Sequence, residues 1–298
     1  MRAGVPFPAD PCYNAGSERK AQKEETRMFT ACRPFPGITH ITDAMGVSFT
    51  LIEGGDSALL LDAGYGTEDV AAYVRSLTEK PVELILSHGH HDHVLGARWF
   101  DRCFMDAADL EEFRLRTGSV QREKVKRQAE EAGVAVPEDF LTAPVPRPEP
   151  LRYSGMTGSF PCRGFDLGGL EVLALRVPGH TAGSVVLFVP SLGLLLTGDD
   201  WNPCTWMWFP CSLPVRQWRE NMLSLIGQLE SASGRELRHV LCSHQPAPRE
   251  GAELKAFLDY MTEARLQAAE KVETGTPIDA RQVVCPEKNW VLLFDAAK

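Results

Sequence analysis

Apolar and polar positions along the chain fall into runs that predict alternating strands and helices. Val47-Ser48-Phe49-Thr50-Leu51-Ile52-Glu53 and Ser57-Ala58-Leu59-Leu60-Leu61-Asp62 flank Gly54-Gly55-Asp56, a pattern that predicts a β-hairpin. Thr67 is placed to cap a helix over Glu68 to Leu77, whose Val70, Tyr73, Val74 and Leu77 share one face. Leu84 to Leu86 then read as a buried strand. Ala107 to Arg116 and Val120 to Ala132 read as helices ended by Gly118 and Gly133. Leu170 to Arg176, Gly193 to Thr197 and Val240 to Leu241 carry further strand signals, with the apolar run Val185 to Val189 among them. Ser212 and Pro214 open a helix with Trp218, Met222, Leu225, Ile226 and Leu229 on one face. A second helix is predicted from Ala252 to about Val272, and Trp290 to Phe294 as a closing strand. Strand, turn, helix, strand in that order implies an α/β layer architecture with a mixed sheet.

Several of these apolar runs end in the same kind of chemistry. Leu84-Ile85-Leu86 leads into Ser87-His88-Gly89-His90-His91-Asp92-His93, four imidazoles and a carboxylate within six positions. Neutral imidazole and carboxylate suit borderline ions such as Zn²⁺, and a tight loop can turn several of them inward at once. We read this stretch as a metal-binding loop. Pro178 and Gly179 break the strand before them and leave His180 on a loop. The strand from Gly193 delivers Gly198-Asp199, with Asp200 beside it as a rival, and Val240-Leu241-Cys242-Ser243 delivers His244.

His88-x-His90-x-Asp92-His93 resembles the signature of the metallo-β-lactamase-fold superfamily of metal-dependent hydrolases, in its glyoxalase II and lactonase-like branch. Leu61-Asp62-Ala63-Gly64, Pro178-Gly179-His180-Thr181-Ala182-Gly183-Ser184, Thr197-Gly198-Asp199 and Cys242-Ser243-His244 resemble its other motifs in the right order. The resemblance implies an αββα sandwich of two mixed β-sheets flanked by helices, with metals at one sheet edge. It further implies that His88, His90 and His180 hold one ion, Asp92, His93 and His244 the other, and that Asp199 is shared. Asp92 and Asp199 take the catalytic roles, and Asp62 supports the metal loop from behind. His91 occupies a variable position of the motif and is expected to point away, while His40 and His239 have no metal context and read as structural. Two divalent ions follow, Zn²⁺ first and Mn²⁺ or Fe²⁺ as alternatives. The implied reaction is hydrolysis, by a hydroxide bridging the ions, of an ester-like bond: thioester, lactone or carboxylic ester.

Composition narrows the field. With 44% hydrophobic and 24% charged residues the chain has the balance of a folded domain, and its net charge of −9 disfavours a broad nucleic-acid surface. Eight dispersed cysteines without a Cys-x-x-Cys pair are expected as reduced thiols. No apolar stretch reaches the length of a membrane span and the first residues lack an apolar leader core, so the expected location is cytoplasmic. Residues 1–28, rich in Pro and charge, read as a tail, and 29–298 as one domain, with a homodimer as one possible assembly.

Zinc β-lactamases generally lack the shared carboxylate, which Asp199 supplies here, and the glyoxalase II substrate segment is not recognisable. In its place stands Trp201-Asn202-Pro203-Cys204-Thr205-Trp206-Met207-Trp208-Phe209-Pro210-Cys211. Trp201, Trp206 and Trp208 are expected either as an aromatic wall contacting a small, partly apolar substrate or as packing. A phosphodiesterase and a single-iron persulfide dioxygenase are the alternative activities.

Overall fold

The computed structural model describes residues 29–275 and 277–298; the expected tail at 1–28 lies outside the described residues. Seven strands stand side by side in sequence order: β1 (Phe29–Phe35), β2 (Ile38–Asp43), β3 (Ser48–Glu53), β4 (Ala58–Leu61), β5 (Val82–Ile85), β6 (Phe104–Met105) and β7 (Glu149–Pro150). Pairing is antiparallel from β1 to β4 and parallel from β4 to β7. The second sheet comprises β8 (Gly155–Thr157), β9 (Phe160–Asp166), β10 (Glu171–Arg176), β11 (Val185–Val189) and β12 (Leu194–Leu196), antiparallel neighbours in turn. The chain then passes through β13 (Cys204–Met207), and β14 (His239–Leu241) returns parallel to β12 with β15 (Arg249–Glu250) at its edge.

Why two sheets face each other can be read from single strands. In β4, Leu59 and Leu61 enter the core shared with Leu187, Leu194 and Leu196 of the second sheet. Ala58 and Leu60 point the other way, against Val70 and Val74 of α1 (Val70–Leu77). Period-two alternation with both faces apolar is what a strand buried on both sides requires. The second sheet repeats the scheme: Leu195 and Val240 turn outward onto Trp218, Met222 and Leu225 of a long helix (Val215–Ser233), while Leu196 and Leu241 turn inward. The layers are therefore helix, sheet, sheet, helix, the αββα sandwich expected.

The helices after α1 are α2 (His91–Val94), α3 (Leu110–Arg116), α4 (Ser119–Glu131), α5 (Val215–Ser233), α6 (Gly251–Tyr260) and α7 (Glu263–Gln267). Two departures from expectation have local causes. Asp69, not Thr67, caps α1 by accepting from the Ala72 amide, because the helix begins at Val70, two residues later than expected; Thr67 donates its hydroxyl to Glu68. The single helix expected from Ala252 breaks at Met261, where Thr262 caps a new turn by accepting from the Arg265 amide. A third sheet was not anticipated: β13 pairs in parallel with β18 (Trp290–Asp295), which pairs with β17 (Ala280–Cys285), and β16 (Glu270–Lys271) closes it. Cys32, Cys103, Cys162, Cys211, Cys242 and Cys285 are free thiols, as expected, whereas Cys204 is disulfide-bonded. Among the described residues, no helix is long and apolar enough to cross a membrane.

Candidate metal centre

Four strand ends meet at one edge of the sandwich. β4 and β5 run parallel, as do β12 and β14, so the loops carrying Asp62, His88 to His93, Asp199 and His244 all leave C-terminal strand ends. The β10–β11 hairpin adds His180. The two sheets are stitched together here: the Val185 amide donates to Ser87 O at 2.8 Å, and the Ser48 amide to Ser243 O at 2.6 Å. Gly198, with φ +56°, is needed for this approach, since a Cβ there would lie 2.8 Å from Ser87 Oγ.

The seven expected donors converge. His88, His90 and His180 form one group and Asp92, His93, Asp199 and His244 a second, with the donor atoms of each within 4.8 Å of one another. Asp199 Oδ2 stands between them, 3.1 Å from His244 Nε2, 3.3 Å from His93 Nε2, 3.8 Å from His180 Nε2 and 4.0 Å from His88 Nε2. Asp92 Oδ2 lies 3.4 Å from His93 Nε2 and 3.6 Å from His244 Nε2. His244 is the exposed member, with 37% of its side chain accessible against 11% for Asp199, so the centre opens on its side.

Each inner imidazole has one nitrogen engaged from behind. His93 Nδ1 donates to Asp62 Oδ2 at 2.9 Å. Ser87 Oγ spends its proton on the same Asp62 oxygen at 2.7 Å, so it accepts from His88 Nδ1 at 2.9 Å. His180 Nδ1 donates to Trp206 O at 2.7 Å, and His90 Nε2 faces Glu112 Oε1 at 3.5 Å. In the neutral rings the remaining nitrogens then present lone pairs inward, which is how outer partners orient metal-ligating imidazoles.

That arrangement fits a cation. His90 Nδ1 and His180 Nε2 lie 2.9 Å apart with both ring protons committed elsewhere, so two lone pairs face one another. His88 Nε2, His93 Nε2 and Asp199 Oδ1 are buried and have no hydrogen-bond partner among the described residues. Orphaned buried polar atoms cost about 1–3 kcal/mol each, and ions bridging them remove that cost.

Electrostatics divides the centre into unlike halves. Burial, reinforced by neighbouring imidazoles, holds His88 well below the ordinary range, and burial with His90 brings His180 to about 3. Both are neutral and ready to ligate. Burial opposes protonation of His93 and, more weakly, of the partly accessible His244, but Asp199 and Asp92 outweigh it, placing His93 well above the ordinary range and His244 at about 9. Burial likewise works against ionising Asp92 and Asp199, yet imidazoles hold both well below the carboxylate range. A cation entering this half must displace protons, which makes its binding weaker in acid.

His91 is turned away, edge-on to Tyr65 at 5.5 Å. His40 bonds Thr50 Oγ1 and Gln245 O, and His239 packs on Phe35, so neither touches the centre. Asp200 is also outside it: fully buried, it accepts from the His180 amide at 2.7 Å, and burial raises it to about 8. Of the two readings of the tryptophans, packing is the one that Trp201 and Trp208 take. Trp201 is 0% exposed and packs on Phe257 in the core beneath α5 and α6, so it cannot line a wall. Trp208 is buried against Ala280 and Leu293. Trp206, half-buried, contributes its carbonyl to His180 rather than a ring face. The aromatic that meets the imidazoles is Phe209, 4.7 Å from the His90 ring and 5.4 Å from that of His180.

Sequence reasoning also missed Glu112 and Cys211, which with His90 Nε2 make a third donor group. Cys211 Sγ lies 3.5 Å from that nitrogen. Glu112 is already paired with Arg116 at 2.5 Å; burial opposes its ionisation, but bonding to His90 and Arg116 brings it to about 2. A charged carboxylate in that position serves His90 as a proton acceptor. Neither residue lies in a metal-loop motif, and only their proximity in space reveals them.

Behind the metal loop, Asp43 takes the amides of Met45, Val47 and Tyr65, and Glu68 takes the Ala44 amide and the Thr67 hydroxyl. Burial, then Asp43, raises Glu68 from 4.5 to about 7. A carboxyl raised on folding keeps its proton longer in the folded chain, so its contribution is complete below about pH 4.5 and is lost as pH rises through about 7. Glu68→Gln, which can keep both hydrogen bonds, is expected to stabilise the protein by about 1–3 kcal/mol near pH 8 and to change little near pH 4.5. Urea unfolding of metal-stripped parent and variant at the two pH values checks the sign.

A family model described as the metallo-beta-lactamase superfamily matches residues 42–200. No curated protein matches the sequence. The stereoselective inverting sec-alkylsulfatase Pisa1 from Pseudomonas sp. is similar in structure with a TM-score of 0.57 at 15% identity, over 77% of this chain and 40% of its own. The chain thus spans well under half the length of that enzyme. A metallo-beta-lactamase from Erythrobacter litoralis gives 0.52 at 15% identity over 79% of this chain and 97% of its own. A metallo-beta-lactamase family protein from Thermus thermophilus gives 0.50 at 19% identity over 83% and 84%. At such identities the shared property is the fold.

Proposed function

As this chain belongs to the metallo-beta-lactamase superfamily, we propose that it is a hydrolase whose two donor groups hold a pair of divalent ions, Zn²⁺ first, with Asp199 shared. Its substrate on this reading is a small molecule with an ester-like bond (thioester, lactone or carboxylic ester) and an apolar portion. The observation that carries the reading is the convergence of seven donors, several of them buried and unpartnered, on the space around Asp199 Oδ2. When bound, a pair of divalent ions supplies Lewis acidity, polarising a carbonyl oxygen and lowering the pKa of water at the site.

The protein's part is positioning and charge. Asp62, Ser87, Glu112 and the Trp206 carbonyl fix which nitrogen each imidazole presents. Asp92 and Asp199 supply the negative charge that balances the ions. Phe209 stands over the His90 and His180 rings, offers an apolar surface for the non-reacting part of a substrate, and excludes water from that side.

Elemental analysis followed by a substrate panel tests the reading. The expected result is about two ions per chain, with turnover of thioesters, lactones or carboxylic esters that a chelator abolishes and Zn²⁺ restores. Faster cleavage of bis-p-nitrophenyl phosphate than of any carboxylic ester would replace it with a phosphodiesterase. One iron per chain with sulfur-dependent oxygen uptake would remove hydrolysis altogether.

A further inference from the structure

The imidazoles of the first donor group come from two loops far apart in sequence, and nothing in either loop alone fixes the distance between them. His88 and His90 leave β5; His180 sits in the turn between β10 and β11. The Val185 amide joins their bases through Ser87 O, and nearer the imidazoles one carboxylate among the described residues hydrogen-bonds to both loops. Asp109, at the end of the short turn Ala107–Asp109 that leads into α3, is 1% exposed. Its Oδ2 accepts from the Gly89 amide at 2.8 Å and from Thr181 Oγ1 at 2.8 Å, and its Oδ1 accepts from the Gly183 amide at 2.7 Å. Gly89 lies between His88 and His90, and Thr181 and Gly183 follow His180.

The glycines show how closely the loops press on this carboxylate. A Cβ at Gly183 would lie 2.7 Å from Asp109 Oδ1, and one at Gly89 would lie 2.7 Å from the Phe113 amide nitrogen and 2.9 Å from Glu112 Cβ. A side chain at Gly183 would push its loop off Asp109, and one at Gly89 would push its loop off α3. The carboxylate receives three donors, two of them backbone amides, and hydrogen bonds to an ionised acceptor are about twice as strong as neutral ones. None of the three partners belongs to the Asp92, His93, Asp199 and His244 group.

We propose that Asp109 is a positioning residue for the three-imidazole half of the centre: it ties the two loops together and sets the spacing of His90 Nδ1 and His180 Nε2. The proposal rests on the metal reading above and adds that the two ions depend unequally on Asp109. Loosening it weakens the ion held by His88, His90 and His180 and leaves the other in place.

Asp109→Asn isolates this role because it preserves shape. Its amide NH₂ must face either the Gly183 amide or the Gly89 amide, so in one loop or the other a donor meets a donor. Thr181→Val deletes a single bond without adding a clash, and Thr181→Ser keeps the hydroxyl. Full-length wild type and variants, stripped and reloaded with Co²⁺ against a chromophoric chelator, report the two affinities separately, and the cobalt absorption spectrum reports each site's geometry. The expected result is a loss of about 10–100-fold in one affinity for Asp109→Asn, a smaller loss in the same affinity for Thr181→Val, and recovery in Thr181→Ser. Wild type that takes two ions while Asp109→Asn matches it in both affinities and spectrum overturns the proposal and leaves the metal reading intact. Equal weakening of both ions, with a lowered melting temperature of the stripped protein, makes Asp109 a general structural residue and also overturns it. Wild type that takes no ion overturns both.

Discussion

Asp199→Ala is expected to reduce hydrolysis by about three orders of magnitude or more, while the protein stays folded. The scale follows from electrostatics: deleting one preorganised polar contact at a reacting centre costs about 10²–10³-fold, and Asp199 serves both donor groups. Among the described residues, its Oδ2 is the only carboxylate oxygen within 4.0 Å of imidazoles from each group, His88 and His180 on one side and His93 and His244 on the other. Asp199 is also the foremost influence raising His93 and His244 against the burial that lowers them. Without it, the second group keeps a single carboxylate, Asp92. The backbone at this point is held independently, by the Asp200 amide on Thr197 O and the Ser243 amide on Gly198 O, so the loop survives truncation of the side chain. Circular dichroism, metal content and kcat/KM measured together check this. A variant that binds two ions and turns over within about tenfold of the parent, a difference of about 1.4 kcal/mol in barrier, would remove Asp199 from the shared position.

That the candidate donors gather at one sheet edge could be read from the sequence for a physical reason, while their sharing-out between two ions rests on the family resemblance. Each of His88, Asp199 and His244 lies three residues past the end of a strand, Val82–Ile85, Leu194–Leu196 or His239–Leu241, and burying the apolar ends of these strands carries the next polar residues to the sheet edge. Local order along the chain therefore already brings these side chains to one end of the sandwich. Asp109 and Glu112 could not be found in this way. They sit on a turn and a helix of ordinary composition, and their importance arises only because the His88 to His93 loop and the His180 loop are folded against α3. The helix predicted from Ala252 failed for a similar reason. Its apolar face at Leu254, Phe257, Leu258 and Met261 is buried as expected, but Thr262 captures the Arg265 amide and starts α7. The third sheet escaped notice because Cys204–Met207 has the composition of an aromatic loop and becomes a strand only beside Trp290–Asp295.

The tryptophan-rich segment shows the limit of composition as a guide, and it separates two substitutions that look alike in sequence. Trp201→Ala is expected to destabilise the protein by about 3–5 kcal/mol, the range for removing a large aromatic from a packed core. The ring is 0% exposed, meets Phe257 edge-on with centroids 6.1 Å apart, and shares the core with Trp218 and Leu254. Its Nε1 has no hydrogen-bond partner among the described residues, so the loss is one of packing, with no polar bond to replace. Phe209→Ala removes a ring that is partly exposed and rests on His90 and His180, and its stability cost is expected to stay below about 1 kcal/mol. Its effect belongs to KM, raised for substrates with an apolar arm and unchanged for small esters without one. Urea midpoints with unchanged slopes, read beside KM for a long and a short ester, separate the two residues. If Trp201→Ala instead kept its midpoint and raised KM for the long ester alone, the indole would belong to the substrate wall and the core placement argued from its burial would be wrong.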